Sequence, residues 1–127
     1  MELRVGHVLD AYLVLRQLIL ERRPFPTSGA YRLARLHAVL EPEAILIEAK
    51  RAEIVKALAG EEPNAPNGQW QVPPEKMPDY KVQWTEMANQ KIDVNCQAIQ
   101  LRYLGDGPAI TTAEFLALGS LILDGAA

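Results

Sequence analysis

The stretch from Thr27 to Leu58 constrains the fold of this chain more than any other, because it predicts one long helix. Its apolar side chains recur at steps of three, four or seven residues and therefore line one side of a helix. These residues are Leu33, Leu36, Leu40, Ala44, Ile47, Ile54 and Leu58. Thr27 and Ser28 are the predicted N-cap residues, and Gly60 is the predicted stop. At about 1.5 Å per residue, such a helix would be about 50 Å long.

Pro42 interrupts this helical pattern. A proline in a helix interior removes one backbone hydrogen bond and clashes with the preceding turn, at a cost of about 3 kcal/mol or more. Either Pro42 kinks one continuous helix, or it separates two helices and occupies the first position of the second. We expect a break or a sharp kink.

The whole pattern predicts a mainly α fold with a small β element (α+β). A helix over residues 8–22 ends before Pro24 and Pro26, so it forms an N-terminal helical hairpin with the long helix. Residues 60–79 are proline-rich, and we interpret them as a linker with a turn at Asn67-Gly68 and an edge strand near Trp70. A short helix over residues 80–89 follows.

The C-terminal part predicts a strand and a final helix. Alternating apolar residues over 91–104 indicate a strand with a bulge, so a short β hairpin or strand pair is expected. Its partner is either the Trp70 segment or the same strand of another subunit, while residues 1–5 are a strand or a disordered start. Thr111 and Glu114 predict a capping box, with Ile110 and Phe115 as a hydrophobic staple, for a helix that ends at residues 124–125.

Length and composition set further limits. The 127 residues are 49% hydrophobic, which predicts a single domain over 1–127, made of a hairpin (1–59), a linker (60–79) and a helix–strand–helix unit (80–127). The net charge of −3 disfavours nucleic acid as a partner. No signal peptide or membrane span is expected, and the single cysteine fits a reducing compartment, so we predict a cytoplasmic protein.

Residue patterns for catalysis are missing from the sequence. Two histidines and one cysteine, Cys96, show no metal-ligand spacing, and neither the dinucleotide fingerprint nor the P-loop pattern occurs. Each histidine is expected to have a structural or surface role, and Cys96 to be a small buried residue. We therefore predict a protein that is not an enzyme and uses no metal or cofactor.

Binding residues are easier to find. Arg22, Arg23, Arg32 and Arg35 surround the predicted hairpin turn together with Tyr31, and such a set is suited to a phosphate or a carboxylate. The alternative is a solvated surface with scattered arginines. Trp70 and Trp84 lie in and beside the linker, where they either anchor a protein partner or close over the end of the core.

The segment after Pro42 is apolar on more than one side of the predicted helix. Apolar residues on two sides of the helix suggest a homo-oligomer interface, unless the second side packs against the C-terminal segment of the same chain. The predicted interface residues are Leu40, Ala44, Ile45 and Ile47.

The order of elements, with NQKIDV at 89–94, LGD at 104–106 and ITTAEFLAL at 110–118, resembles a family of small proteins of unknown function from tailed bacteriophages and prophages. The resemblance implies a phage-encoded binding protein in the host cytoplasm. It would bind and inhibit a host defence protein, or sequester a small anionic signal. The alternative is a virion structural or assembly protein, such as a tail- or head-associated subunit or chaperone, with a phage protein partner.

Overall fold

A computed structural model describes residues 1–60, 66, 68–106 and 109–123 of the chain. The helices are α1 (Val5–Leu20), α2 (Thr27–Ala59), α3 (Met77–Ala88) and α4 (Thr112–Leu118). The strands are β1 (Glu2–Arg4), β2 (Lys91–Asp93), β3 (Ile99–Gln100) and β4 (Ile122–Leu123). Short 3-10 turns cover Pro74–Lys76, Leu101–Leu104 and Gly119–Leu121. The predicted class, mainly α with a small β element, is confirmed.

The core lies between α1 and α2, which pack as the predicted hairpin. Leu9 and Leu15 of α1 and Leu33 and Leu40 of α2 are almost completely buried there. The C-terminal part closes the core with further apolar side chains, which are Val94, Ile99, Leu104, Leu118 and Leu121. Burying apolar surface at about 25 cal/mol per Å² is the main force that holds these elements together.

The helix α2 continues through Pro42, so the predicted separation into two helices is wrong. Pro42 has no N–H to donate to the Ala38 carbonyl. Both residues are exposed, so this carbonyl can accept a hydrogen bond from water instead. Leu40 and Ala44, on either side of the proline, are buried in one core. That packing holds both halves of the helix in a single element.

The ends of the two long helices differ from the prediction in detail. Thr27 is the first residue of α2 and not its cap, because the cap position is Pro26 and no side chain caps the helix. Gly60 ends α2 as predicted, at a φ of 110°, and donates its N–H to the Lys56 carbonyl at 3.0 Å. The first helix ends at Leu20, and Arg22 has a φ of 51°, which is incompatible with a continued right-handed helix.

Two pairs of short strands replace the predicted single strand over 91–104. β1 pairs with β2 in antiparallel fashion, with Leu3 opposite Ile92, and β3 pairs with β4 in parallel, with Ile99 opposite Ile122. The segment 94–98 between β2 and β3 is irregular. The Trp70 segment is not the partner of this strand, because residues 69–73 form no strand. Local alternation does not identify the distant segments with which a strand pairs, and pairing with the same strand of another subunit stays a prediction.

The capping box of α4 is confirmed, since the Thr111 side chain accepts from the Glu114 N–H and Glu114 accepts from the Thr111 N–H. The helix ends at Leu118 and does not continue towards the predicted end at 124–125, because Gly119 has a φ of 51° and the chain then enters a 3-10 turn and β4. The predicted end at 124–125 and Asn67 of the predicted turn lie outside the described residues. α3 begins at Met77, so the last residues of the predicted linker are helical.

Candidate functional site

A cleft of about 480 Å³ lies between the first half of α2 and the irregular segment that precedes β3. We call it the arginine cleft. Its cationic side is formed by Arg32 and Arg35, with Tyr31 and Ser28 beside them. Its other side is formed by residues 95–99, which include Asn95 and Gln97. The volume lies within the range of about 300–1,000 Å³ that is typical of small-molecule sites.

The floor of the arginine cleft is apolar. Val39, Cys96 and Ala98 are half-buried there, and the buried Leu36 and Ile99 also line the cleft, with Leu36 and Val39 on the α2 side and the other three on the opposite side. Burial raises the pKa of the Cys96 thiol, so the sulfur stays protonated at neutral pH. The cleft therefore combines a cationic rim with an uncharged interior.

The guanidinium group of Arg32 stacks on the ring of Tyr103, with its central carbon 3.9 Å from the ring centroid. Arg102 contacts the same ring at 5.0 Å and donates to the Tyr103 hydroxyl at 3.3 Å. Stacking restrains the plane of a guanidinium group while its N–H groups remain available at the edges. Arg32 is therefore held in one orientation by the ring of Tyr103.

Gly29 makes this stacking possible, and it was not among the predicted site residues. It is buried in the first turn of α2, and a Cβ atom at this position would lie 2.0 Å from the Tyr103 carbonyl oxygen. The close approach of the two backbones places Tyr103 next to Arg32, one turn further along the helix. A glycine near the start of a strong helix pattern, where it weakens the helix, is the signal that points to such a contact.

The cations of the cleft have no acidic partner among the residues that the structure describes. The ion pairs in the described part of the chain involve the N-terminal ammonium, Arg23, Lys50, Arg51, Lys91 and His37, but not Arg32, Arg35 or Arg102. Arg32 and Arg102 thus share the ring of Tyr103, and Arg32 and Arg35 line the cleft. An arrangement of this kind attracts an anion, because each guanidinium can donate charge-assisted hydrogen bonds.

The structure separates the predicted cluster of four arginines into two groups. Arg23 is not at the cleft: it pairs with Glu114 and with Glu21, the latter at 2.6 Å, and donates to the Ala109 carbonyl at 3.1 Å. The Glu114 carboxylate raises the pKa of Arg23, and Arg23 lowers the pKa of Glu114. Arg22 is exposed and makes no ion pair within the described part of the chain. Arg32 and Arg35 remain as the candidate binding pair, with Tyr31.

The two tryptophans lie away from the lining of the arginine cleft. The ring of Trp84 packs against the core beneath Arg51, whose guanidinium carbon is 5.1 Å from the ring centroid and whose Nε donates to the Tyr80 hydroxyl at 2.8 Å. Trp70 donates to the Gly60 carbonyl at 3.3 Å, with the Lys56 ammonium 4.4 Å from its ring centroid. Both rings thus contact the second half of α2 or its end, and their role as partner anchors stays a prediction.

The predicted oligomer interface includes residues that cannot reach a partner. Leu40, Ala44 and Ile47 are buried in the chain's own core, so assigning them to an interface is wrong. The reason is that they follow the same helical stripe as the core residues before Pro42. Ile45 is 60% exposed and Leu46 is 59% exposed, so the described part of the C-terminal segment, up to residue 123, does not cover the second apolar side of α2.

The histidines do not form a site. His7 Nε2 is 2.8 Å from the Leu118 carbonyl oxygen, in a hollow of about 560 Å³ that is more open than the cleft. His37 stacks on Tyr12 at 4.8 Å, and its Nδ1 is 3.9 Å from Glu41. Among the described residues, no group of three or more His, Cys, Asp or Glu side chains is placed to hold a metal ion.

Comparisons with known proteins return nothing for this chain: no family model matches it, nor does any curated protein or any solved structure. The resemblance to a phage family thus stays a prediction. Within the described part of the chain, no helix has the length and apolar character needed to cross a membrane.

Proposed function

We propose that this chain is a non-enzymatic binding protein whose arginine cleft holds an anionic group. The observation that carries this proposal is that Arg32 and Arg35 line a cleft and have no acidic partner among the described residues. Hydrogen bonds to charged groups contribute about 1.5–3 kcal/mol each, which corresponds to roughly tenfold or more in affinity.

Two sources of the anion fit the expectation from the sequence. A small anionic signal molecule would enter the cleft whole, whereas an inhibitor of a host defence protein would receive a carboxylate side chain of that partner. The cleft volume of about 480 Å³ supports the small ligand, because a side chain from a flat protein surface would occupy little of it. A phage origin and a place in the host cytoplasm belong to the same proposal.

The test is calorimetric titration of the protein with inorganic phosphate, sulfate and acetate at low ionic strength. We expect Arg35→Ala to weaken binding about tenfold or more, since one charge-assisted contact is lost. Arg22→Ala is the matched control, because it removes the same charge from an exposed position outside the cleft. If the wild-type protein binds none of the three anions, or if both variants weaken binding equally, the cleft is not an anion site.

A role in assembly is the second candidate, and exposed apolar side chains on α2 favour it. Ile45 and Leu46 are neighbours on the side of the helix that faces away from the core, and both are more than half exposed. Exposed apolar patches often mark protein interfaces. Under this candidate the chain forms a homo-oligomer or binds a phage structural protein through that side of α2.

A further inference from the structure

We infer that the ligand of the arginine cleft is an organic anion, in which a phosphate or carboxylate head is attached to a flat apolar body. This inference rests on the proposed function, since it assumes that the cleft binds an anion. It goes further by assigning a different part of the ligand to each part of the cleft: the head to the arginines, and the body to the floor and to Tyr31.

The head position follows from the two arginines. Arg32 is held in one orientation by the ring of Tyr103, at 3.9 Å, and Arg35 lies three residues later on the same face of α2. Two guanidinium groups at this spacing can share one phosphate or carboxylate. Because Arg32 is already oriented, less conformational entropy is lost when the anion binds.

The body position follows from the space that a bare anion would leave. An inorganic phosphate has five heavy atoms and would fill only a small part of the cleft of about 480 Å³. The half-buried side chains of Val39, Cys96 and Ala98 would then remain in contact with water. Covering apolar surface of this kind is favourable by about 25 cal/mol per Å², so a ligand with an apolar group gains affinity from the floor.

A flat body is favoured by Tyr31. Its side chain lines the cleft, is 64% exposed, and takes part in no ring stacking or cation–π contact among the described residues. An exposed aromatic ring at the edge of a cleft offers a face on which another ring can stack. Asn95 and Gln97 form the opposite rim, and their amides can donate to or accept from polar atoms on such a ring.

The experiment compares matched probes by calorimetry: inorganic phosphate with phenyl phosphate, acetate with benzoate, and phenol as a body without a head. We expect each aromatic anion to bind roughly tenfold to a hundredfold more tightly than its matched simple anion, and phenol to bind too weakly to measure. If the two probes of each pair bind with equal affinity, and Arg35→Ala weakens the binding of both, the cleft is an anion site but the inference that its ligand has an apolar body is wrong. If no anion binds, the proposed function fails as well.

Two variants separate the head from the body. Tyr31→Ala should lower the affinity for phenyl phosphate about tenfold and leave the affinity for inorganic phosphate unchanged. Tyr31→Phe should keep both affinities, because the ring face remains. Tyr31 is largely exposed, so these changes should not impair folding. If Tyr31→Ala weakens both probes equally, or neither, the assignment of Tyr31 to the ligand body is wrong.

Cys96 provides an independent readout of position, because it is the only cysteine of the chain and lines the floor. We expect saturating phenyl phosphate to slow alkylation of Cys96 by iodoacetamide about fivefold or more, because only the unliganded fraction of the protein would react. Inorganic phosphate should have a much smaller effect, because it stays at the arginine end. If phenyl phosphate binds tightly without protecting Cys96, it occupies another place and the inference fails.

Discussion

The Glu114 carboxylate connects the start of α4 with Arg23, which lies near the end of α1. It accepts from the Thr111 N–H at 2.8 Å within the capping box and also from Arg23, which follows α1. Arg23 is the first cause of the lowered pKa of Glu114, and the hydrogen bonds with Thr111 add to it. Glu114 therefore stabilises the folded state mainly in its charged form.

Glu114→Gln should make this contribution visible as a function of pH. The pKa of Glu114 is lower in the folded chain than the ordinary value of about 4.3, so the unfolded chain binds the proton first as the pH falls. The stabilisation is thus fully present above about pH 5 and is lost as the pH falls through the lowered folded pKa.

Urea unfolding of the wild type and of Glu114→Gln at several pH values between 7 and 3 measures this difference. We expect the gap in the free energy of unfolding to be largest at pH 7 and to narrow towards pH 3. Glu86→Gln, at an exposed position of α3, serves as the control and should give no such trend. A gap that stays constant from pH 7 to pH 3 would show that the charge of Glu114 contributes nothing.

The helix α2 is the element that both the core and the arginine cleft depend on. One side carries the buried residues that pack on α1, and the first half also presents Arg32 and Arg35 to the cleft. Gly29 permits the 3-10 turn that contains Tyr103 to approach this half closely. Stability and the proposed binding therefore depend on the same contact.

Gly29→Ala should lower the free energy of unfolding by about 1–3 kcal/mol, because the added Cβ would overlap the Tyr103 backbone. The sign of the change in the free energy of unfolding is informative, since replacing a glycine in a helix by alanine would otherwise stabilise the helix by about 1 kcal/mol. Thr27→Ala, at the exposed first residue of α2, should change stability by less than about 0.5 kcal/mol. Thermal and urea unfolding measure both variants, and a more stable Gly29→Ala would refute the close approach.

A pair of substitutions on α2 tests which side of the helix is available to a partner. Ile47→Asp should cost more than about 3 kcal/mol, because it places a charge in the core and removes buried apolar volume. Ile45→Asp should leave stability within about 0.5 kcal/mol, since Ile45 is exposed.

Sedimentation velocity of the same two variants addresses assembly. If the second side of α2 forms a homo-oligomer, Ile45→Asp should shift the protein to the monomer mass while it stays folded. If the oligomer persists in Ile45→Asp, or if the wild type is a monomer at high concentration, this side of α2 is not a homo-oligomer interface.

At the scale of the whole molecule, contacts between distant segments build the cleft. β1 at the start of the chain pairs with β2, and β3 pairs with β4 near the end, so the segment 94–98 is held at both sides. The Val94 N–H also donates to the Met1 carbonyl at 2.8 Å. These short pairings place the irregular segment beside α2, where it forms one wall of the arginine cleft.

Much of the fold was predictable because its signals are local. The helical hairpin, the stop at Gly60 and the Thr111–Glu114 capping box each depend on residues within a few turns of one another. Of the site, the sequence indicated Tyr31, Arg32 and Arg35, since they lie close together along one helix. It did not indicate Cys96 or Gln97 as their neighbours, because those residues are more than sixty positions away in the chain.

The sequence by itself thus determined where the long helices lie and which of their sides is apolar, because helix formation and capping act over a few residues. Only the tertiary structure decided that α2 continues through Pro42, that distant strands pair, and that Arg23 is neutralised while Arg32 and Arg35 are not. Those outcomes depend on which distant groups come into contact. Packing can offset a local cost such as that of a proline, and a carboxylate can pair with only the cations that the fold brings within reach.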